Sequence, residues 1–451
     1  MIELRNKKAA VIGAGITGIA TVRFLAGQGA RIALTDEKPA PAWENSVADL
    51  KGQRGPLTVV PYGPAVLDGA DLVVPSPGVY PGNPILKEAL ARSIPVLSEL
   101  ELAWQFLKTP VIAITGTNGK TTVTTLIGDI LRAAGNRVFV GGNIGAPLIG
   151  YAGGPQEAQW AVTEVSSFQL QWRRDFRPAV ALLLNTTHDH IDYHGSFAAY
   201  RQAKESIFSR QTAADTAILN ADEPSTEALI GRLRAQVECF SSTTPVPRGM
   251  FLEGETLVRI ARSGDREEYP LGMIRIPGRH NVENVMAAIL AARVCGCSPP
   301  DIMGAVGDFR GIAHRIEYVG EVDGVRYYDD SKGTNVGAVV RALQSFAPPV
   351  VLLLGGRDKQ GDFETLAPLI RERVRALICF GEARRTIDGL VGGLAPTRLT
   401  ATMAEAVTAA RALASPGDVV LLSPGCASFD EFTDYKARGK AFQALVRTFS
   451  R

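Results

Sequence analysis

Residues 115–122 read "TGTNGKTT" between the apolar run "PVIAI" at 110–114 and an amphipathic run. The stretch nearly matches the phosphate-cradling pattern G-x-x-x-x-G-K-[ST], but the position five before Gly119 is Ile114 rather than glycine. Gly116 and Gly119 still let backbone N–H groups turn inward. Lys120 offers a cation to phosphate oxygens, and Thr121 offers a hydroxyl to Mg²⁺ at the mouth of a helix. With Gly116 as its first glycine the loop is two residues tighter than the common version. A plain turn with a solvated lysine is the alternative. A strand before and a helix after favour a nucleotide triphosphate held by Gly116, Thr117, Asn118, Gly119, Lys120, Thr121 and Thr122.

Outward from this loop, short β-branched runs alternate with helical patterns and glycine-rich turns, which predicts an α/β fold of parallel sheets with crossover helices. A first series of strands comprises "AAVIG", "RIALTD" and "DLVVPSPG". The second runs "PVIAITG", "RVFVGG", "WAVTEVS", "VALLLNT" and "TAILNAD", and the third "VRYYDDS", "PVVLLLGG", "ALICFG" and "DVVLLSPG". Joints near Ser98 and Gly311 give three expected domains: Rossmann-like over 1–98, P-loop-type and ATP-binding over 99–311, and Rossmann-like over 312–451.

The length of 451 residues agrees with several domains. Lys+Arg 48 against Asp+Glu 46 leaves a charge of +2 without a like-charge block, which argues against a nucleic-acid surface and for small-molecule partners. The opening apolar run, Ala9–Ile12, is too short for a signal core or a membrane insertion. Five cysteines without a C-x-x-C pair fit a reducing cytoplasm. No exposed heptad or docking strand is evident, so a monomer is expected.

Gly13-Ala-Gly15-Ile-Thr-Gly18 follows a strand and precedes a helix, with Asp36 closing the next strand. By itself this fingerprint says nicotinamide-dependent oxidoreductase, although any phosphate-bearing nucleotide can use such a turn. Glu164 in "TEVSSFQL" and the cluster "NTTHDHIDYH" at 185–194 fall at or just after strand ends, where ligand sites open in such sheets. The cluster holds His188, His190 and His194. It resembles a dinuclear zinc signature until Tyr193 takes the place of the last histidine, and one histidine holding Mg²⁺ beside the phosphates fits the rest of the chain better. Lys204, on the helix of "YRQAKESIF", reads from spacing alone as a solvated cation.

"TGTNGKTT", "GGNIG", "TEVSSFQL", "DHIDYH" with "YRQAK", "PGRHNVENVMAA", "AHRIE", "DDSKGTN", "LLLGGRDK" and "LSPGCASFDEF" occur in this order across essentially the whole chain. The set resembles the Mur ligases, and "SSFQL", "DDSKGTN" and "LSPGCASFD" point to the D-glutamate-adding branch. The resemblance implies ATP-dependent amide formation in peptidoglycan synthesis. ATP phosphorylates a carboxylate of UDP-N-acetylmuramoyl-L-alanine, and the amine of D-glutamate displaces phosphate. Two anions must meet in the first step, so cations must offset their repulsion. Other amide ligases of the Mur and folylpolyglutamate type, and a non-enzymatic nucleotide switch, are the rival readings beside the oxidoreductase.

Residue by residue, the resemblance gives Lys120 to phosphate, Thr121 and Glu164 to a first Mg²⁺, and His190 to a second. Lys204 matches a lysine carried as a carbamate, which turns an ammonium that would repel metals into a carboxylate-like ligand. Asn284, or alternatively Asn281, matches the adenine contact. Arg315 matches a phosphate contact, Asp330 the ribose contact and Lys332 a cation at the reaction centre. Thr334, Lys359, Ser428 and Tyr435 match the D-glutamate positions, and Ile16, Thr17, Asp36, Gly78 and Asn143 those for the nucleotide sugar. Gly333 and Gly425 stand where alanine is expected, Glu37-Lys38 where a Thr-Arg pair is familiar, and Tyr193 where arginine is more usual.

Overall fold

The computed structural model describes residues 2–38, 43, 57–347, 349–358 and 361–449, and Asp192 by its backbone alone. Two compact units emerge, Met1–Met273 with Glu283–Gly307, and Ile274–Val282 with Asp308–Arg451. The first unit contains two sheets. One is built from β1 (Lys8–Ile12), β2 (Arg31–Thr35), β3 (Leu57–Val59) and β4 (Leu72–Pro75), in the parallel order β3-β2-β1-β4. Chain direction across this sheet reverses at β1, so a crevice opens beyond the ends of β1 and β4.

The second sheet comprises β5 (Val111–Thr115), β6 (Val138–Gly142), β7 (Trp160–Glu164), β8 (Val180–Leu183), β9 (Thr216–Asn220), β10 (Gln236–Ser241), β11 (Gly249–Glu253), β12 (Thr256–Ile260) and β13 (Arg266–Pro270). Its order is β13-β12-β11-β10-β9-β8-β5-β7-β6. The strand β5 is buried throughout and flanked by β7 and β8, so the ends of these three strands meet at a reversal of strand order. The sheet is parallel as far as β11, then adds β12 and β13 antiparallel.

In the second unit, β14 (Glu317–Val322), β15 (Val325–Asp329), β16 (Val350–Gly355), β17 (Val374–Phe380), β18 (Thr397–Leu399) and β19 (Val419–Gly425) form a sheet in the order β14-β15-β19-β16-β17-β18. Only the β14–β15 pair is antiparallel among them. Continuous apolar runs such as "VVLLLG" make strands buried on both faces, with helices covering each side.

Within the first unit one core joins both sheets. Val11, Phe24 and Leu25 share a buried cluster with Leu148, Ile149 and Phe176, and the rings of Phe24 and Phe106 meet edge to face at 5.0 Å. A short helix, Glu99–Trp104, begins at Ser98, whose hydroxyl accepts from Glu101 N at 3.2 Å. The Glu101 carboxylate accepts the backbone N–H groups of Arg174, Asp175 and Phe176 at 2.7, 2.9 and 2.9 Å. Glu99 accepts from Ile149 N at 2.6 Å and from the Gln169 amide at 3.4 Å.

Burial pushes the Glu99 carboxyl up to about 7. A carboxyl raised in the folded state holds its proton there while the unfolded chain has lost it. Its contribution is therefore full below about pH 4.5 and is lost as pH rises through about 7, a loss on the order of 3 kcal/mol. Unfolding midpoints followed from pH 5 to 8 are expected to fall more steeply for the wild type than for Glu99→Gln; parallel slopes would contradict the assignment. Among the described residues no helix is long and apolar enough to cross a membrane.

Candidate active site

The loop after β5 enters the helix Lys120–Ala133 through Gly119, which caps it in the left-handed conformation at φ +83°. Any side chain there would be strained, and a Cβ would also collide with Asn284 Oδ1. The segment after β8 braces the loop. Asn185 O accepts Thr117 N at 2.9 Å, and the Asn185 side chain accepts from Asn118 N at 2.9 Å and donates to Asn118 O at 3.2 Å. Thr187 N donates to Thr117 Oγ1 at 3.0 Å, and the hydroxyls of Thr117 and Tyr200 lie 3.1 Å apart. Thr121 is half-buried on the first helical turn and Thr122 is buried.

Two lysines converge on this loop. Lys120 Nζ donates to Gly116 O at 2.8 Å and to Thr117 O at 3.0 Å, while Lys204 Nζ donates to the same Gly116 O at 2.8 Å. Lys204 is buried and also lies over the Tyr200 ring, 4.6 Å from its centroid. Burial, then the Lys120 charge, hold its amine well below the ordinary lysine range, with Asp189 and Glu164 pulling the other way. The expectation of a solvated cation from spacing alone is thus overturned. Tyr200 and Lys204 are four residues apart on the helix Phe197–Glu205, so their shared face was readable in "YRQAK".

At the end of β7, Glu164 is buried; its Oε1 accepts from the Asn143 amide at 3.0 Å, while its Oε2 is buried with no hydrogen-bond partner. An orphaned carboxylate oxygen beside a phosphate-type loop fits a cation ligand. His190 is exposed and caps the short helix Ile191–His194 at φ +52°, with its ring 4.8 Å from that of Phe168. His188 stacks on Phe197 at 4.3 Å, and His194 lies 3.0 Å from Ser167 Oγ. Among the described residues, the cluster of His, Cys, Asp and Glu groups close enough to share an ion is His314, Glu317 and Asp329, not these histidines.

The front crevice is ordered by backbone contacts. Asp36 accepts from Ala14 N at 2.6 Å and from Lys38 N at 2.8 Å, so its carboxylate pins the glycine turn. Ser76 Oγ donates to Gly13 O at 3.1 Å from the end of β4. Ile16 is 76% exposed at the start of the helix Ile16–Gly27, Thr17 follows it half-buried, and Gly78 and Asn143 are exposed. An apolar side chain left this open beside a glycine turn is available to a ligand.

In the second unit, Asp330 follows β15 and accepts from Ser423 Oγ at 2.7 Å; burial pushes its carboxyl up to about 7, against the pull of Arg315. Arg315 lies between His314 and Ile316, both left-handed at φ +65° and +46°, a strained placement for a β-branched residue. His314 holds that loop through Asp329 Oδ2 at 2.7 Å, and Gln443 donates to both Asp329 and Glu317 at 2.9 and 3.0 Å. The carbonyl of His314 accepts from Lys332 N at 2.9 Å, and Lys332 Nζ lies 5.9 Å from the Tyr435 ring centroid. Thr334 is half-buried and Ser428 buried; Lys359 lies outside the described residues.

Of the two asparagines, Asn284 faces the phosphate-type loop, whereas the Asn281 amide donates to Pro277 O at 2.6 Å. At Gly333 a Cβ would stand 2.5 Å from Asp330 Oδ2, and Gly425 is left-handed at φ +66°. Both glycines are therefore fitted to this chain's packing and are not neutral replacements for alanine. The partners of Asn185, Gln443 and Glu99 lie far along the chain, beyond any local motif.

The chain matches the Mur ligase MurD-like N-terminal domain over residues 7–98, the Mur ligase middle domain over 114–292 and the Mur ligase glutamate ligase domain over 314–426. It is 56% identical to the UDP-N-acetylmuramoylalanine–D-glutamate ligase of Syntrophus aciditrophicus over 451 residues, 100% of this chain and 99% of that one. It is 43% identical to the Geobacter metallireducens protein of the same name, covering 99% and 98%. Among solved structures, a pseudomurein peptide ligase type C from Methanothermus fervidus shares the fold with a TM-score of 0.61 at 18% identity, covering 98% of this chain and 100% of that one. The UDP-N-acetylmuramate–alanine ligase of Thermotoga maritima does so with a TM-score of 0.59, at 18% identity and 99% and 100% coverage.

Proposed function

We infer from the family to which this chain belongs, the Mur ligases, that it joins D-glutamate to UDP-N-acetylmuramoyl-L-alanine at the expense of ATP, in peptidoglycan synthesis. The observation that carries this reading is the full-length likeness at 56% identity. We further propose three working domains: residues 1–98 for the UDP end of the substrate, 99–311 for ATP and amide formation, and 312–451 for D-glutamate. The protein works as a cytoplasmic monomer.

The chemistry follows from charge. The L-alanyl carboxylate is a poor electrophile until ATP phosphorylates it, and the γ-phosphate and that carboxylate repel each other. Lys120 swings from its carbonyl partners to the phosphates, the first turn of its helix adds N–H donors, and Asn284 receives the adenine. Bound Mg²⁺ supplies further positive charge to the meeting anions. Thr121 and Glu164, whose buried Oε2 has no hydrogen-bond partner, would hold one ion, and His190 and Lys204 would hold the other.

Lys204 serves as a ligand in carbamate form. Burial and the Lys120 charge both favour its uncharged amine, which is the nucleophile that CO₂ requires. The nitrogen–carbon bond forms, the amine proton leaves to solvent, and the new carboxylate faces Lys120 as an opposite charge. Arg315, Asp330 and Lys332 contribute from the C-terminal domain, to the phosphates, the ribose and the reaction centre respectively. Thr334, Lys359, Ser428 and Tyr435 receive D-glutamate, with Lys359 opposite its side-chain carboxylate. The acyl phosphate must be kept from water until the amine attacks.

Phosphate release from Mg-ATP by the purified protein tests this reading. Release is expected to require both UDP-N-acetylmuramoyl-L-alanine and D-glutamate, and L-glutamate is expected not to replace the D-isomer. Release indifferent to D-glutamate would move the chain to another amide ligase of the superfamily.

A further inference from the structure

Tyr193 links the segment after β4 to the segment after β8. Its hydroxyl donates to Val79 O at 3.2 Å, 114 residues away in sequence, beyond the end of β4. The ring meets Tyr80 edge-on at 5.8 Å and Phe168 at 4.1 Å. On one side the link runs to the front turn: Val79 N donates to Ser76 O at 2.9 Å, and Ser76 Oγ donates to Gly13 O at 3.1 Å. On the other side Phe168 packs on His190 at 4.8 Å and on His194 at 5.7 Å, and His194 packs on Tyr200 at 5.3 Å, the ring beneath Lys204. A continuous row of packed groups thus joins the turn at Gly13 to His190, Tyr200 and Lys204.

We propose that Tyr193 is a positioning residue that fixes the spacing between the nucleotide-binding turn and the carboxylate-activating residues. This rests on the ligase reading above. A substrate held by its UDP end presents its distant carboxylate only as accurately as the two grips are spaced, and a misplacement of about 1 Å can cost about 100-fold in rate. Binding at the nucleotide end is thereby converted into orientation at the reacting end. Where the family resemblance leads one to expect an arginine, this chain has a phenol that grips backbone, so the two grips are joined by protein contacts and not through a charge on a ligand.

The test compares Tyr193→Phe and Tyr193→Ala with the wild type in D-glutamate-dependent phosphate release, together with UDP affinity, the KM for ATP and the melting temperature. Phenylalanine keeps the ring contacts and loses only the hydroxyl. A kcat lower by about tenfold is expected for Tyr193→Phe and by about 100-fold for Tyr193→Ala. UDP affinity and the KM for ATP should stay within about twofold, and Tyr193→Phe should melt with the wild type. Wild-type kcat in Tyr193→Phe overturns the proposal, as does a loss shared equally by UDP affinity, ATP binding and melting, which marks a structural role alone. A wild type without D-glutamate-dependent release would overturn the ligase reading itself, and the positioning role with it; an active wild type with an unaffected variant removes only the positioning role.

Discussion

Lys204→Ala is expected to lower kcat by about 10³-fold or more while leaving the fold intact, because it deletes a proposed ion ligand at the place where two anions meet. Lys204→Arg should be as poor: a guanidinium stays charged and cannot take up CO₂. A short carboxylic acid such as acetate, supplied to the alanine variant, should restore part of the activity by placing a carboxylate in the vacated space. The arginine variant has no such space and should not respond. If Lys204→Arg keeps wild-type activity, the carbamate has no role and the lysine serves only as a cation. The buried Nζ on Gly116 O, beside Lys120, is what makes this lysine different from the other cations of its helix.

Lys120→Ala carries the second large effect, a loss of kcat of about 10³-fold, with the KM for ATP rising by much less. In the proposed site the lysine is one charge among several donors for the nucleotide, but the one set to face the charge that develops during transfer. A further consequence separates this change from general damage to the loop. The Lys120 charge is the second cause of the low Lys204 pKa, so its removal is expected to raise that pKa. The Lys204 titration, followed by the pH dependence of amine modification, should move upward in Lys120→Ala and downward in Glu164→Gln, whose carboxylate pulls the other way. Equal kcat for Lys120→Ala and the wild type would remove the loop from the chemistry.

Much of the fold was legible because buried parallel strands write themselves as short apolar runs closed by glycine. "PVIAITG" and "PVVLLLGG" became β5 and β16 to within a residue at each end, and "VALLLNT" became β8, which stops three residues sooner. β10 and β11 escaped as well, and the outer strands of the sheets carry a different pattern. In β12 and β13, "TLVRI" and "REEYP" mix charge with apolar residues because they form an antiparallel extension paired through Arg259, Glu267 and Tyr269. In β14 a register shift between Tyr318 and Gly320 breaks the alternation. The three-residue strand β3 and the equally short β18 are edges with too little sequence to signal.

The candidate site divides in the same way. Residues on local motifs, Gly116–Thr122 and Glu164, stand at strand ends as the spacing requires, since a phosphate loop is a contiguous piece of chain. Residues whose roles depend on distant partners were invisible: Asn185 bracing Asn118, Gln443 joining Asp329 to Glu317, and the Tyr193 hydroxyl on Val79 O. Each of these bonds spans far more sequence than any motif window.

In the proposed reaction ATP phosphorylates the substrate carboxylate before the amine attacks. Oxygen-18 in both carboxylate oxygens of UDP-N-acetylmuramoyl-L-alanine tests it directly, with the released phosphate read by mass or by phosphorus NMR. An acyl phosphate transfers one labelled oxygen to phosphate and leaves the other in the new amide, so singly labelled phosphate is the predicted result. Phosphate without label, formed together with the D-glutamyl product, would mean that the carboxylate is activated in another way and would contradict this account.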